Sequence, residues 1–566
     1  MEKILSEIKK ILNQAGVEGE IELTSPPNPE MGDFAFACFG VAKVWQMNPV
    51  EAAKKIQSQL LLTPHALLTK VVVMGPYVNF YFNSGKVADI VIKEILKKGK
   101  KYGVQAKKKE RVMVEYSQPN THKEFHIGHL RNVCIGSSIV NIFKHSGYKT
   151  IGANYIGDIG AHVAKCLWYI ETYKKDDLRK VSNPGKWLGQ MYAEASQKIE
   201  AEPDLKESVA EVQRKLESGD KYWLGLWKKT KKWSMQEFKG IYKQLGVDFD
   251  EWFFESEVEK PGKEMVAYLL KHGIAQRGEG GAVIVDLNSF GLDIFLILKS
   301  DGSSLYATKD LALAALKFKK FRIDKSIYVI DNRQRHYFMQ LFKTLELMGW
   351  KKDVAFLGYD FVTLPEGAMA SRKGNVVLFN DLLADVESSV VRETKERHSD
   401  WKEKNIKDVA RKIALAAIKF DILKHPIDKV IVFNKEEALS FEGFTGPYIL
   451  YVVARINSML SKANSKSKIA NHKFELLDKS EEKQLVLWLG KYEEVVKKAL
   501  AEYNPSVITR YCFDLAQAFN NFYNNCSILK AETKDLMFAR LSLSMATKNV
   551  LESALGLLTI DTVEEM

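Results

Sequence analysis

The chain is poor in cysteine and has no long apolar segment. Only five of its 566 residues are cysteines, and no two of them have the C-x-x-C spacing of a zinc knuckle. An odd number of scattered thiols does not make a disulfide framework, so a reducing compartment, the cytoplasm, is expected. No apolar run approaches the ~20 residues of a membrane span, and the opening MEKILSEIKKIL is typical of an amphipathic helix rather than a signal peptide. We therefore expect an intracellular protein that does not contact a membrane.

The bulk composition is that of a globular protein with an excess of positive charge. Apolar residues make up 46% and charged residues 27% of the chain, which is long enough for three or four domains. The net charge of +12 and the pI of about 9.0 favour a polyanionic partner. A lysine-rich solvated surface explains the same numbers, and charge alone leaves both interpretations open.

Charge and hydrophobic pattern divide the chain into three parts. Residues 1–105 are predicted to form a small α/β domain, and the lysine-dense KKGKKYGVQAKKKE marks its end. Residues 106–380 are predicted to be an α/β domain with a charged helical insertion at about 165–254. Residues 381–566 are predicted to be helical, and the resemblance described below implies that they divide into a helical connector, 381–440, and an all-α bundle, 441–566.

The second part begins with a strand–helix–strand pattern. RVMVEY alternates as a strand does, apolar residues at helical spacing follow from Ile127 to His145, and KTIGANYIGD predicts the next strand. This order predicts a right-handed βαβ crossover and a parallel sheet. GGAVIVDL, DIFLILKS and KSIYVID are predicted to be the later strands, which together would form a Rossmann-like doubly wound sheet.

Two histidines stand where the first strand gives way to the first helix. In a parallel α/β sheet this point lies at the carboxyl edge, where a helix N-terminus offers free N–H groups to a phosphate. The i to i+3 spacing of His126 and His129 sends both rings to one side of the first turn, and Gly128 leaves room for a flat ring such as adenine. Two polar residues that only cap a helix would give the same short pattern. Other parts of the chain are needed to choose between a helix cap and a phosphate-binding site.

Several longer motifs identify a resemblance. HIGH preceded by SQPNTHKEF resembles the first signature of the class I aminoacyl-tRNA synthetases in its arginyl form. GDFAFACFGVAK and GPYVNFYF resemble the N-terminal domain of arginyl enzymes; NYIGDIGAHV, LKSDGSSLYATKDLA and IYVIDNRQRHYFMQLF resemble stretches of the catalytic domain. MASRKGNVV stands at the place of the second signature, and ALSFEGFTGPYILYVVARINSML resembles the start of the anticodon-binding domain.

The resemblance implies that arginine and ATP form arginyl-adenylate and that the arginyl group passes to the terminal adenosine of a tRNA. ATP would come as its Mg²⁺ complex, and no structural metal is expected. The resemblance implies contacts with ATP at His126, Gly128, His129, Gly157, Asp158, Met369 and Ser371. It implies contacts with arginine at Glu115, Ser117, Asn120, Tyr306, Asp310 and Gln334. A guanidinium requires carboxylate or carbonyl acceptors, and Asp310 is expected nearest to it.

The resemblance also implies contacts with tRNA at both ends of the chain. Tyr77 and Asn79 would meet the corner of the tRNA at its D-loop, although a half-buried strand explains the same residues. Tyr448, Tyr451 and Arg455 are expected on one helical face, where aromatic rings would stack on unpaired anticodon bases.

The second signature departs from the K-M-S-K-S pattern of the class. If Met369 aligns with its methionine, Ser371 falls where the second lysine belongs, and the basic residues Arg372 and Lys373 come just after it. The resemblance implies that Lys123, three residues before His126, supplies the missing charge to the phosphates. A solvated loop lysine is the alternative for Lys123.

Three alternatives to an arginine–tRNA ligase stay open at this point. A smaller nucleotidyltransferase shares H-x-G-H but is shorter and lacks the second signature. Another class I synthetase has a similar build, and a tRNA-binding paralogue without catalysis would keep the outer domains. For the arginine–tRNA ligase, a monomer is expected.

Overall fold

The computed structural model describes residues 2–19, 21–24, 26, 28–62, 65–363, 365, 377–463 and 473–566. Among these residues no helix combines the length and the apolar character that crossing a bilayer requires.

The N-terminal region is a four-stranded antiparallel sheet flanked by amphipathic helices. Its elements are α1 (Glu2–Gln14), β1 (Leu23–Thr24), β2 (Phe34–Ala37), α2 (Phe39–Val44), α3 (Pro49–Leu61), β3 (Leu68–Met74), β4 (Tyr77–Phe82) and α4 (Ser84–Lys98). The sheet order is β1–β2–β4–β3, so β4 is an inner strand. The opening helix α1 buries Ile4, Ile8 and Ile11 on one side, as its predicted amphipathic pattern requires.

The central region is built on a five-stranded parallel sheet. Its elements are β5 (Arg111–Glu115), α5 (Ile127–His145), β6 (Lys149–Ile156), α6 (Ala161–Tyr173), α7 (Pro184–Ala201), α8 (Leu205–Glu217), α9 (Lys221–Gln244), β7 (Glu251–Phe254), α10 (Glu255–Lys271), β8 (Gln276–Arg277), β9 (Val283–Asp286), β10 (Ile294–Leu298), α11 (Tyr306–Phe321), β11 (Lys325–Asp331), α12 (Arg335–Leu347), β12 (Asp353–Tyr359) and β13 (Val362–Thr363). The order is β12–β11–β5–β6–β7, and all four pairings are parallel. The predicted parallel sheet is confirmed.

Two of the later strands were assigned to the wrong sheet. The strands in GGAVIVDL and DIFLILKS, β9 and β10, form with β8 a separate antiparallel sheet that packs on α10, α11 and α12. The second half of the parallel sheet consists of β11 and of β12, which was not predicted. Buried β9 and β10 positions alternate with exposed ones, and this alternation is typical of an antiparallel sheet with one solvated face.

The helical insertion ends earlier than predicted. Helices α6 to α9 share a core rich in tryptophan and tyrosine. Residues Glu251–Phe254, however, form β7 and pair with β6 at the edge of the parallel sheet. This strand was assigned to the charged helical insertion before it, because a strand of four residues is too short to show a recognisable periodicity in the sequence.

The described residues after 377 are mainly helical, as predicted, and include one strand of two residues. Their elements are α13 (Phe379–Arg397), α14 (Glu403–Leu423), β14 (Ile431–Val432), α15 (Lys435–Leu439), α16 (Gly446–Lys462), α17 (Ser480–Gly490), α18 (Tyr492–Ala501), α19 (Ser506–Asn525) and α20 (Lys534–Leu557). Helix α4 packs against α17 and α20, so the N-terminal region contacts this bundle.

The strand order fixes where a ligand can bind. The chain starts the sheet at β5, moves outward through β6 and β7, and then returns to the other side of β5 with β11 and β12. The connections that leave β5 and β11 therefore diverge and open a crevice at the carboxyl ends of these two strands. The segment from Tyr116 to His126 and the segment from Asn332 to Gln334 border this crevice.

Candidate active site

The two signature histidines stand at the start of α5 and are held by its backbone. His126 is the N-cap residue, and its Nδ1 accepts a hydrogen bond from the N–H of Gly128 at 3.1 Å. The N–H of His126 donates to Nδ1 of His129 at 3.2 Å, and the two ring centroids are 3.8 Å apart. A Cβ on Gly128 would lie 2.9 Å from Cε1 of His126. The histidines therefore do cap the helix, but only with Nδ1.

The other ring nitrogens are left as hydrogen-bond donors. Because each Nδ1 accepts from a backbone N–H, the proton of each neutral ring must be on Nε2. Burial, with the positive charges of Lys123 and Arg333, lowers the pKa of His126 to about 4. Burial, with His126 and Lys123, holds the pKa of His129 well below its ordinary value. Both rings are thus neutral at neutral pH and can donate Nε2–H to an anion without losing a proton.

The loop before the helix has a strained backbone. The φ angles of Ser117, Gln118 and His122 are +77°, +48° and +64°, in a backbone conformation that residues other than glycine seldom adopt. Asn120 forms an isolated parallel bridge with Gly157, and a Cβ on Gly157 would lie 2.1 Å from Oδ1 of Asn120. Strain of this kind persists only where the surrounding structure enforces it, and it is common at binding sites.

Asp310 and Tyr306 lie on the first turns of α11 at the rim of the crevice. Tyr306 is the first residue of the helix and 60% of it is exposed. Oδ2 of Asp310 accepts a hydrogen bond from the hydroxyl of Tyr337 at 2.5 Å. Burial and the nearby carboxylates of Glu115 and Glu255 raise the pKa of Asp310 to about 7, against the effect of the Tyr337 hydrogen bond. No ion pair to Asp310 exists in the described part of the chain.

Two neighbouring carboxylates already have cationic partners. Glu115 is buried, forms an ion pair with Lys317 and accepts from Nε2 of Gln118 at 3.0 Å. Glu255, which the sequence analysis missed, is paired with Lys309. Two lysines thus neutralise two of the three carboxylates and leave Asp310 as the one that lacks a counterion within the described residues. A guanidinium is a cation of suitable geometry for such a carboxylate.

Three predicted contact residues are engaged inside the protein. The Oγ of Ser117 lies 2.7 Å from the hydroxyl of Tyr242, and Glu115 is paired as described. Asp158 is fully buried; its carboxylate accepts from Nζ of Lys231 at 2.6 Å and from N and Oγ of Ser256 at 2.9 and 2.7 Å. Each of these side chains therefore has a partner inside the protein, and direct contact of Glu115, Ser117 and Asp158 with a ligand stays a prediction. Gln334 is exposed at the end of β11, beside the crevice.

Helix α9 of the insertion holds the first-signature loop in place. The N–H of His122 donates to Oγ of Ser234 at 2.9 Å, and Nε2 of His122 lies 2.8 Å from Oγ1 of Thr230. The hydroxyl of Tyr242 accepts from Nδ2 of Asn154 at 3.0 Å besides its contact with Ser117. The sequence gives no local sign of these contacts, because the partners are more than eighty residues apart.

The second signature lies outside the described residues, and with it Met369, Ser371, Arg372 and Lys373. Its flanks are described: the N–H of Ile127 donates to the carbonyl of Val377 at 3.1 Å, next to His126. On the other side the buried guanidinium of Arg131 donates to five carbonyls, at distances from 2.5 to 3.3 Å. These carbonyls belong to Asp360, Phe361, Pro426, Ile427 and Lys429. Helix α5 therefore fixes both flanks of the second signature.

Lys123 projects from the same loop without a counterion among the described residues. Its Nζ lies 5.1 Å from the ring centroid of Tyr192 on α7. Its charge contributes to the lowered pKa values of both His126 and His129. The position beside the signature histidines fits the expected role, which stays a prediction.

The two residues predicted to meet the tRNA corner differ in exposure. Tyr77 begins β4 and is exposed, and its ring makes an edge contact with Phe39 at 5.9 Å. Asn79 is only 3% exposed, although it lies opposite Ala35 on β2 and Val72 on β3 in the sheet, because the segment at Gly32 packs against its side chain: a Cβ on Gly32 would lie 3.4 Å from Cβ of Asn79. The expectation that Asn79 is displayed on the surface is wrong, since β4 is covered at this position.

The three residues predicted for the anticodon do share one face of α16. The hydroxyl of Tyr448 accepts from Nδ2 of Asn520 at 2.8 Å, and a nitrogen of Arg455 donates to Oδ1 of the same amide at 2.9 Å. The Arg455 guanidinium lies 4.7 Å from the ring centroids of both Tyr451 and Tyr523. An aromatic and basic surface with a central amide is thus formed between α16 and α19.

No group of three or more His, Cys, Asp or Glu side chains that could hold a metal ion is present in the described part of the chain.

Comparisons with known protein families match three consecutive parts of the chain. A model described as "tRNA synthetases class I (R), catalytic domain" matches residues 91–434. "Arginyl tRNA synthetase N terminal domain" matches residues 2–82, and "DALR anticodon binding domain" matches residues 449–566.

Individual relatives match along nearly the whole chain. A protein of Clostridium perfringens named arginine–tRNA ligase is 37% identical, with 98% of this chain and 97% of the relative covered. One of Bdellovibrio bacteriovorus with the same name is 36% identical, with 96% and 94% covered. The solved structure of Thermus thermophilus arginyl-tRNA synthetase has a TM-score of 0.84 at 25% identity, with 99% and 100% covered. The chain therefore belongs to the arginyl-tRNA synthetase family of class I aminoacyl-tRNA ligases.

Proposed function

We propose that this chain joins L-arginine to its tRNA with ATP as the energy source. The observation that carries the proposal is the unbalanced carboxylate of Asp310 in a pocket where the other two carboxylates are neutralised by lysines. A cationic side chain completes the charge balance, and an apolar or anionic amino acid leaves Asp310 without a partner.

The two halves of the crevice have separate roles in this proposal. Asp310 binds the guanidinium and the exposed Tyr306 ring covers the aliphatic part of the side chain. Asn120 and Gln334 face the α-amino and carboxylate end. Glu255 shapes the same pocket, since it contributes to the raised pKa values of Asp310 and Tyr306.

ATP takes the His126 side. The arginine carboxylate attacks the α-phosphorus, the bond to the bridging oxygen breaks and pyrophosphate leaves. The Nε2–H groups of His126 and His129 and the ammonium of Lys123 stabilise the charge that develops on the phosphate oxygens. The helix N-terminus adds backbone N–H groups to the same region. Magnesium enters as part of the nucleotide complex.

In the second step the terminal adenosine of the tRNA attacks the arginyl carbonyl and AMP leaves. Tyr77 binds the tRNA corner, and the surface of Tyr448, Tyr451 and Arg455 binds the anticodon loop. Asn520 belongs to this surface, because its amide oxygen and nitrogen are both used to join Tyr448 to Arg455. Arg372 and Lys373 are proposed to approach the ATP phosphates from the second signature.

The domain limits 1–105, 106–380, 381–440 and 441–566, with the insertion ending before β7, are part of the same proposal. A cytoplasmic location is proposed from the family's role in translation, and a monomer is proposed as well. Light scattering coupled to gel filtration, with and without tRNA, tests the monomer.

The experiment is exchange of labelled pyrophosphate into ATP with each standard amino acid, with and without arginine tRNA. Exchange that depends on arginine supports the proposal. Exchange with a different amino acid overturns the arginine pocket. Tight tRNA binding without any exchange or aminoacylation favours the non-catalytic paralogue.

A further inference from the structure

Lys123 is held by an aromatic ring that comes from another part of the fold. The lysine precedes α5, whereas Tyr192 lies on α7 of the helical insertion, 69 positions later in the numbering. Nζ of Lys123 is 5.1 Å from the Tyr192 ring centroid, within the range of a cation–π interaction. Among the described residues no carboxylate and no hydrogen-bond acceptor contacts this ammonium.

The ring of Tyr192 is itself fixed by its packing in the insertion. Its ring packs against the core of the insertion, and Nζ of Lys165 lies 5.2 Å from the same centroid. Lys165 also donates to Oγ of Ser196 at 3.3 Å, a bond that keeps this second lysine on the insertion. Lys123 has no such second bond in the described part, so of the two lysines it is the one whose hydrogen-bond donors are available to a ligand.

The chemical nature of the group beside Lys123 decides how much of the positive charge of this lysine remains available to a phosphate. A carboxylate beside Lys123 would neutralise the ammonium and compete with phosphate oxygens for it. An aromatic ring attracts the cation through its quadrupole but carries no net charge, so the full positive charge remains available. A ring also restricts a stem that otherwise samples many rotamers.

We propose that Tyr192 is a positioning residue that keeps Lys123 directed at the ATP phosphates and thereby makes the insertion a part of the catalytic apparatus. This inference rests on the proposed function, in which Lys123 stabilises the departing pyrophosphate. The ring, and not the hydroxyl, carries the effect.

The test compares variants of Tyr192 in the full-length protein. Tyr192→Phe keeps the ring and is expected to retain wild-type kcat for arginyl-adenylate formation within about twofold. Tyr192→Leu removes the ring and is expected to lower kcat ~10-fold, about 1.4 kcal/mol, with little change in the KM for arginine. Tyr192→Met also removes the ring, but its flexible side chain can fill the space that the ring leaves, and the same loss of kcat is expected.

A double-mutant cycle separates positioning from packing. If Tyr192 acts through Lys123, then Lys123→Ala with Tyr192→Leu loses no more activity than Lys123→Ala alone. Tyr173→Leu is the matched control: its ring lies 5.2 Å from Nζ of Lys198 in the same insertion, without a contact to the first signature among the described residues. This control is expected to leave kcat unchanged.

Each contrary result has a distinct meaning. Additive losses, or equal losses for Tyr192→Phe and Tyr192→Leu, overturn the inference. So does a wild-type rate for Tyr192→Leu when Lys123→Ala is impaired, although the proposed function then stands. A wild-type rate for Lys123→Ala overturns the role of Lys123 and the inference together. A wild-type protein that does not exchange pyrophosphate with arginine fails the proposed function itself.

Discussion

The affinity for arginine should depend on pH through Asp310. Burial and the carboxylates of Glu115 and Glu255 raise the pKa of this side chain to about 7 in the empty pocket. Only the ionised form attracts a guanidinium, so affinity rises with pH up to the pKa and levels off above it. With a pKa of about 7, roughly one pocket in eleven is ionised at pH 6 and roughly ten in eleven at pH 8. The apparent Kd should therefore be ~10-fold weaker at pH 6 than at pH 8, about 1.4 kcal/mol.

Calorimetric titration of arginine into the protein with saturating tRNA, at pH 6, 7 and 8, measures this difference. The signature histidines do not titrate in this window, because burial lowers the pKa of His126 to about 4 and holds the pKa of His129 well below its ordinary value. Asp310→Asn should weaken binding at least ~10-fold at pH 8 and abolish the pH dependence. Tyr337→Phe removes the hydrogen bond that lowers the pKa of Asp310, so the midpoint should move to higher pH. The groups that face Asp310 from the surrounding elements are Glu115, Glu255, Lys317, Tyr155 and Tyr337.

A wild-type affinity that is constant from pH 6 to pH 8 would refute the reasoning. The same slope in Asp310→Asn as in the wild type would assign the titration to another group.

Three further outcomes are expected. Lys123→Ala should lower kcat for adenylate formation ~100-fold or more, near 3 kcal/mol, and Lys373→Ala should lower it less. Stopped-flow single turnovers measure both rates. An equal or larger loss of kcat in Lys373→Ala would assign the charge at the phosphates to Lys373 instead. Gly157→Ala places a methyl group 2.1 Å from Oδ1 of Asn120 and should impair arginine binding, whereas Gly225→Ala, with no neighbour within 4 Å, should not. Binding of tRNA should weaken steeply as salt rises, because lysine and arginine contacts release condensed counterions; a filter-binding affinity that barely changes would remove the polyanion interpretation.

The local parts of the fold were predictable from the sequence. The strand before His126, the helix after it and the next parallel strand follow from a period of two and then of 3.6, and the structure confirms them. The shared face of Tyr448, Tyr451 and Arg455 is likewise a matter of helical spacing. Nothing beyond the segment itself is needed for such features.

The sheet that a strand joins was not predictable. The apolar segments around Val283–Asp286 and Ile294–Leu298 look much like Lys325–Asp331, yet only the last joins the parallel sheet. Pairing depends on contacts between residues far apart in the chain, and the local pattern does not encode them. The predicted exposure of Asn79 was wrong for a similar reason, since the segment that packs against its side chain, at Gly32, lies far from it in the chain.

The site shows why residue type alone does not assign a role. Glu115, Asp158, Glu255 and Asp310 are all acidic residues near one crevice, and residue type gives no reason to choose among them; only the family resemblance singled out Asp310 for the guanidinium. The structure separates them by partner: Lys317, Lys231 and Lys309 pair with the first three.

The lysines that make this choice lie far from the signature motifs. Lys317 is buried three turns along α11, and its ion pair joins this helix to the end of β5. If a lysine were placed beside Asp310 instead, the pocket would be balanced before arginine arrived, and the guanidinium would have to displace a buried cation at a cost of several kcal/mol. Selectivity for a cationic amino acid thus depends on where the protein withholds a counterion as much as on where it places a carboxylate.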